Sequence, residues 1–464
     1  MNMHLHSLFF ARIKKILLSL LKPELLPVFF LVLGAILKFH YAIHVPYDIS
    51  YHDLGRVYIS QFDNGHIGYM QYISRYHALP KLSPQTHWGM HHPPLFYIIG
   101  ASVLSLYNSD NDLVRIKQAL ETVQLVNMSF SCFIPVVCFF FFKRLGLDSY
   151  ILAAFTAFVS FFPSFFHIGA ALNNDCLLVF FVIVSLYYSY VWHQEKSLSS
   201  MIKTAFFLSL GMLTKSSACL VIPGIFCLWL FSIKKAHEQK MPIPLNHFFI
   251  FLLIFIPLGG WWLIRQRLLF NMPSYFMNNA DIYAMQQIHG CSWQQRLLFP
   301  TAYQLMAEHF IHNPQHPEYF CNIWGQLFLT MNFDEARLFS PGLIFGLGSM
   351  ALLWNSIILS GITLYGNICL VFSKNIFFGE RLFFLVGNLV PIISIVALSF
   401  IYPQIACMNF RLIAWLPLLW MGGCGLCFVS EEKKGQKNEL FRKNLIFLCY
   451  LMALISVLLF LIWG

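Results

Sequence analysis

The feature that most constrains this chain is a succession of apolar stretches, each close to the length of a bilayer crossing and most separated from the next by a short loop. Allowing roughly 20 residues per crossing, about eleven can be marked: Leu25–His44, Gln118–Phe142, Tyr150–Gly169, Cys176–Trp192, Met201–Thr214, Ser217–Ile233, His247–Ile264, Leu343–Phe372, Leu382–Tyr402, Leu412–Val429 and Leu445–Trp463. Inside hydrocarbon every backbone amide must find its partner within the segment, so such stretches fold as helices. The expectation is an all-α polytopic membrane protein, a single integral membrane domain over residues 1–464. A content of 58% hydrophobic residues against 11% charged, with mean hydropathy +0.65, agrees, since no soluble core needs so much apolar surface.

The formal net charge of +10 would suggest nucleic acid in a soluble chain. Here the cations sit in short loops between apolar runs: Lys143 and Arg144; Lys196; Lys234, Lys235 and Lys240; Lys374 and Arg381; Lys433, Lys434, Lys437, Arg442 and Lys443. Their regular alternation orients the chain with these loops in the cytoplasm, which excludes nucleic acid as a partner and makes membrane lipids the surroundings. Met1–Lys22, with Arg12, Lys14, Lys15 and Lys22 and no small-residue cleavage site, reads as a cytoplasmic interfacial helix. The first span then runs outward. Residues 46–117 form the first exoplasmic loop, expected to be catalytic, and 268–341 form a large exoplasmic loop.

Within the first loop, Leu95–Tyr107 is shorter than the roughly 20 residues of a crossing and should lie flat. Counting it as a span would put Lys143 and Arg144 outside and invert every later loop. Ahead of it, His66, Tyr69, Met70, Ile73, Tyr76 and His77 share a face at helical spacing, so an in-plane amphipathic helix is expected to open at Asp63. Asp63 then has two readings, a helix N-cap or a chemically active carboxylate.

Polar groups from four places converge on the outer side under this topology. They are Asp63 with His66; Asn173, Asn174 and Asp175 at the membrane edge; Lys215 at the tip of a tight hairpin; and Arg411 at the outer end of the tenth span. Each could be an interfacial anchor, and Lys215 alone could simply snorkel. Gathered, they suit a substrate with a lipid-linked phosphate, a carboxylate acting as base and cations holding the leaving phosphate. Cysteine offers less. Cys424 and Cys427 lack a second pair for zinc, and Cys291 and Cys321 share the large loop, where a disulfide stays open. His309, His312 and His316 are interrupted by Pro314 and Pro317 and support no zinc site.

Asp63, Asn64, Gly65, His66 and Tyr69, then Leu79-Pro80, then His92, Pro93, Pro94, Leu95 and Tyr97, resemble the first outer loop of GT-C glycosyltransferases, the polytopic enzymes that use polyprenyl-phosphate sugars and include protein mannosyltransferases and the lipid A aminoarabinose transferase. Asn173-Asn174-Asp175, Leu213-Thr214-Lys215 and Arg411 followed by Pro417 are similar to later features of that superfamily. The resemblance implies a polyprenyl-phosphate sugar donor, a glycan, lipid or protein acceptor, and Asp63 as the base, with Asp53 as runner-up. It implies that His66 and Asp175 assist, Asp175 by orienting His66, the acceptor or a cation. Tyr69, His92, Lys215 and Arg411 would bind substrate together with Asp53. Asn64 stands where many relatives carry a second acid, which leaves a divalent cation open. A transporter or flippase would instead bury charge near the midplane and show an internal repeat, and a scaffold would need no gathering of polar groups. No Asn-x-Ser/Thr site falls in an outer loop, which favours a bacterial inner membrane.

Overall fold

The computed structural model describes residues 22–47, 65–87, 89–107, 112–240, 245–272, 288, 290–301, 305, 321–334, 343–432 and 439–463. Its helices, in chain order, are α1 (Leu26–His44), α2 (Gly65–Tyr76), α3 (Leu95–Leu106), α4 (Leu113–Arg144), α5 (Ser149–Ser160), α6 (Pro163–Ala170), α7 (Asp175–Glu195) and α8 (Leu198–Thr214). A 3-10 turn, Ser216–Val221, leads into α9 (Ile222–Glu238), followed by α10 (Leu245–Gly259), α11 (Trp261–Phe270), α12 (Trp293–Leu297), α13 (Ile323–Phe333), α14 (Leu343–Phe372), α15 (Phe378–Ile401), α16 (Leu416–Glu432) and α17 (Glu439–Trp463).

Eight units among the described residues are long and apolar enough to cross a membrane, and the bent pair α10–α11 makes a ninth. The eleven expected spans are reached only by adding α8 and α16, apolar helices of 17 residues each, at the short end of the crossing range. Helix α3, at 12 residues, is too short to cross. It packs with α2 against α4 at the end of the bundle where α1 finishes. The long basic-ended helices reach the opposite end, where Arg144 meets Glu195 and Arg442 pairs with Asp148 at 2.7 Å.

Two expected continuous spans are broken, each for a local reason. Pro163 cannot supply an N–H to a continuing helix, so Tyr150–Gly169 divides into α5 and α6 around Phe161 and Phe162. His247–Ile264 bends by 40° where α10 ends at Gly259. A proline also explains a cation that the sequence hides in a span. Lys38 of α1 is 1% exposed, and its Nζ donates to the Ser131 carbonyl at 3.1 Å. That oxygen would serve the amide of residue 135, which is proline. The ammonium, lying between Phe165 and Phe166 at 5.6 Å from each ring, replaces the missing donor.

Helix α2 opens at Gly65, with φ +71°. Asp63 and Asn64, where the helix was expected to begin, lie outside the described residues. The face read from spacing holds for its first two turns, where His66, Tyr69 and Met70 are buried; Tyr76 is 56% exposed and His77, at φ +48°, ends the helix. Gly65 meets Gly89, which has φ +88° and would place a Cβ 3.1 Å from the Gly65 carbonyl oxygen. Gly89→Ala is expected to cost about 1–3 kcal/mol through left-handed strain and this backbone contact. Thermal unfolding in detergent, compared with Gly146→Ala at a positive-φ site with open space around it, checks the contact separately from the strain.

Candidate active site

Three elements bring opposite charges together at the α3 end of the bundle. Asp175 is the first residue of α7 and is 1% exposed. The turn before it is fixed at every residue: Asn173 Oδ1 accepts the Asp175 N–H, and Asn174 Nδ2 donates to the Thr214 carbonyl at 2.8 Å. Just upstream, Asn127 Nδ2 donates to the carbonyls of Ile168 and Ala171. The Asn174 bond ties the start of α7 to the end of α8 and so carries Lys215, the next residue, beside Asp175. Lys215 Nζ lies 2.5 Å from Asp175 Oδ1, and Arg411 Nε lies 3.4 Å from Oδ2. All three side chains are at most 15% exposed.

Arg411 is held by a second set of contacts that sequence reading did not anticipate. Asn409 Oδ1 accepts the Arg411 N–H, forming a local turn, while its Nδ2 donates to Asp334 Oδ1 at 3.1 Å. The Phe410 N–H donates to Thr330 Oγ1 at 2.9 Å. Thus α13 and the Asp334 that follows it brace the arginine. An Asn two residues before an Arg at a span end was the available signal.

Facing this cluster is an aromatic and imidazole group from the first loop. His66 Nδ1 is 2.8 Å from the Tyr97 hydroxyl, Tyr69 stacks on Tyr97 at 4.0 Å, and His92 stacks on His66 at 5.7 Å. The Tyr69 hydroxyl donates to the His92 carbonyl at 3.4 Å, and burial pushes its pKa well up. His91, adjoining His92 with ring centres 3.9 Å apart, is pressed down to about 3, first by burial and then by its neighbours Lys215 and His66. It is therefore a neutral imidazole at physiological pH, within electrostatic reach of the Lys215 ammonium of the Asp175 cluster.

Helix α11 holds this loop in place. Trp262 Nε1 donates to the His91 carbonyl at 3.1 Å, Arg265 Nη2 to the Pro80 carbonyl at 2.7 Å, and Gln266 Nε2 to the Met90 carbonyl at 3.2 Å. Positions 262, 265 and 266 share one helix face, a spacing legible in Trp262-Leu263-Ile264-Arg265-Gln266 but not weighed.

The structure therefore brings His66, Tyr69 and His92 into one group, and Asp175, Lys215 and Arg411 into another beside it. Asp53 and Asp63 lie outside the described residues, as do His309, His312 and His316. A divalent cation finds no fitting ligand set among the described residues. No three His, Cys, Asp or Glu side chains gather to hold one, and both oxygens of Asp175 face cations.

Residues 91–261 match the family described as dolichyl-phosphate-mannose-protein mannosyltransferase. No curated protein sequence matches the chain. Among solved structures, the apo oligosaccharyltransferase of Archaeoglobus fulgidus superposes with a TM-score of 0.50 at 10% identity, over 94% of this chain and 55% of that one. The chain thus spans about half the length of that protein. ArnT from Cupriavidus metallidurans in the apo state aligns at 12% identity and a TM-score of 0.38, over 93% of this chain and 77% of that one. Over residues 91–261 the chain is thus similar to the mannosyltransferase family, and with the oligosaccharyltransferase it shares its helical fold.

Proposed function

We propose that the chain is a glycosyltransferase that moves a sugar from a polyprenyl-phosphate-linked donor to a glycan, lipid or protein acceptor at the exoplasmic face of a membrane. The observation that carries this reading is the buried cluster of two cations on one carboxylate, leaving a net positive charge beside a neutral imidazole and an aromatic wall. A guanidinium has five N–H donors and an ammonium three, more than one carboxylate accepts, so the pair can hold Asp175 and a phosphate together. The matched family's description, with its phosphate-linked mannose donor, points to the same substrate class.

Asp63 lies three residues before His66 in the sequence and takes the acceptor proton as base in this reading, with Asp53 as runner-up. As the acceptor oxygen or nitrogen bonds to the anomeric carbon, that carbon's bond to the phosphate oxygen breaks and the phosphate gains negative charge. Lys215 and Arg411 stabilise it as it leaves. His66, His92 and Tyr69 line the side from which sugar and acceptor approach. Asp175 is the counter-ion that keeps both cations in place between turnovers. The loops with Lys and Arg at the opposite end set the cytoplasmic side, with the N-terminus there and the bacterial inner membrane as location.

Purified protein in vesicles containing a polyprenyl-phosphate sugar should release polyprenyl phosphate. Lys215→Met and Arg411→Met should each weaken donor binding about 10–100-fold, the worth of one charge-assisted contact of about 1.5–3 kcal/mol. Unchanged donor affinity in both folded variants would remove the phosphate from this site.

A further inference from the structure

We infer that Cys291 and Cys321 are a disulfide-forming pair that staples the large outer loop onto the brace of Arg411. The structure holds both as thiols, and the Cys321 thiol hydrogen-bonds to that of Cys291. The contact is built by the chain around it. Cys291 immediately precedes Ser292, whose hydroxyl accepts the Gln295 N–H to cap α12. Cys321 immediately precedes Asn322, whose Oδ1 accepts the Gly325 N–H to cap α13. The two caps are then joined: Asn322 Nδ2 donates to the carbonyls of Gln295 at 2.9 Å and Leu298 at 2.6 Å, and Trp324 Nε1 donates to the Leu297 carbonyl at 2.6 Å. Two helix starts locked together in this way leave the cysteines ahead of them side by side.

The chemistry has a direction. Cys291 is half-buried and Cys321 fully buried, so an incoming protein disulfide meets Cys291 first. Attack by the Cys291 thiolate breaks the incoming S–S bond and forms a mixed disulfide. The Cys321 thiolate then attacks the Cys291 sulfur and displaces the second oxidant sulfur, so the oxidant leaves as a dithiol that carries, by exchange through water, the two protons given up by the cysteines. Burial, and after it the neighbouring Cys291, push the Cys321 thiol up, and the Arg296 guanidinium offsets only part of this. Arg296 is itself buried, held over the Phe400 ring at 4.1 Å and donating to the Ser399 carbonyl at the end of α15. Its charge also reaches Cys407, which makes that thiol a competing partner that must be tested.

The consequence reaches the candidate site through α13. This helix begins at the Cys321 staple and ends at Thr330 and Asp334, which hold Phe410 and Asn409 beside Arg411. Fixing its start restricts the whole brace. The inference rests on the exoplasmic placement of the large loop given above, since disulfides persist on that side of a membrane and not in the cytoplasm.

The test is thiol trapping of the full chain made in bacteria, acid-quenched, denatured with a first maleimide, then reduced and labelled with a second of different mass. Peptide mass spectrometry should find the second label on Cys291 and Cys321 and the first on Cys407. In Cys291→Ser, Cys321 should take the first label. Finding the first label on both Cys291 and Cys321 of the wild type, or a Cys321–Cys407 link, would overturn the pairing. Donor binding to the oxidised protein should weaken several-fold on mild reduction, and the reduced Cys291→Ser variant should show the weaker value with or without reductant. The labelling pattern does not depend on activity. A disulfide found in a protein that releases no polyprenyl phosphate would therefore leave the pairing standing and sink only the proposed transfer.

Discussion

Asp175→Asn is expected to destabilise the protein by about 3–5 kcal/mol, the cost of removing one partner from a buried ion pair. The change is nearly isosteric, so packing is kept and the effect reports charge. Without the carboxylate, Lys215 and Arg411 are two buried cations around a neutral amide, each poorly solvated and each repelling the other. Unfolding in detergent measures the loss. A second substitution, Lys215→Met on the Asp175→Asn background, should recover part of it, because it removes one of the uncompensated charges. Additive losses in that double variant would show that the three side chains do not act as a unit. A soluble phosphate analogue should also stabilise Asp175→Asn more than the wild type, since the anion then replaces the missing counter-charge.

Asp63→Asn is expected to lower transfer by about 10²–10⁴-fold, the usual contribution of a positioned general base. It should leave donor binding and stability close to wild type. Asparagine caps a helix about as well as aspartate, so a capping role alone predicts near-normal turnover. What separates the two is whether the side chain can take a proton from the acceptor. Single-turnover measurement with preloaded donor decides it. Near-normal turnover by well-folded Asp63→Asn would move the base to Asp53, where the same substitution becomes the next test.

Much of the architecture was legible because the membrane simplifies the problem. Long apolar segments specify helices with little reference to the rest of the chain, and α1, α4, α7, α14, α15 and α17 all fall on stretches marked from sequence. The short α3 was legible for the same reason, because its length rules out a crossing. Legibility stopped where side chains rather than hydropathy decide. Proline in the Tyr150–Gly169 stretch signalled a break that was read as a continuous span. Lys38 in α1 was hidden because its partner, the Ser131 carbonyl freed by Pro135, lies 93 positions away along the chain.

For the candidate site, sequence alone singled out His66, Tyr69, His92, Asp175, Lys215 and Arg411, by residue type, loop position and resemblance. It also determined that they share one end of the bundle, since the parity of the spans is a counting argument that needs no tertiary contact. Only the tertiary structure decided how they are paired. Asp175 meets Lys215 because Asn174 bonds to the Thr214 carbonyl, and it meets Arg411 because Thr330 and Asp334 fix the turn at Asn409. The clamp of α11 on the His91 loop was likewise decided there. The physical reason is one of range. Hydropathy acts through the solvent and is felt by every segment separately, whereas a hydrogen bond or ion pair acts over about 3–4 Å and depends on where distant parts of the chain come to rest.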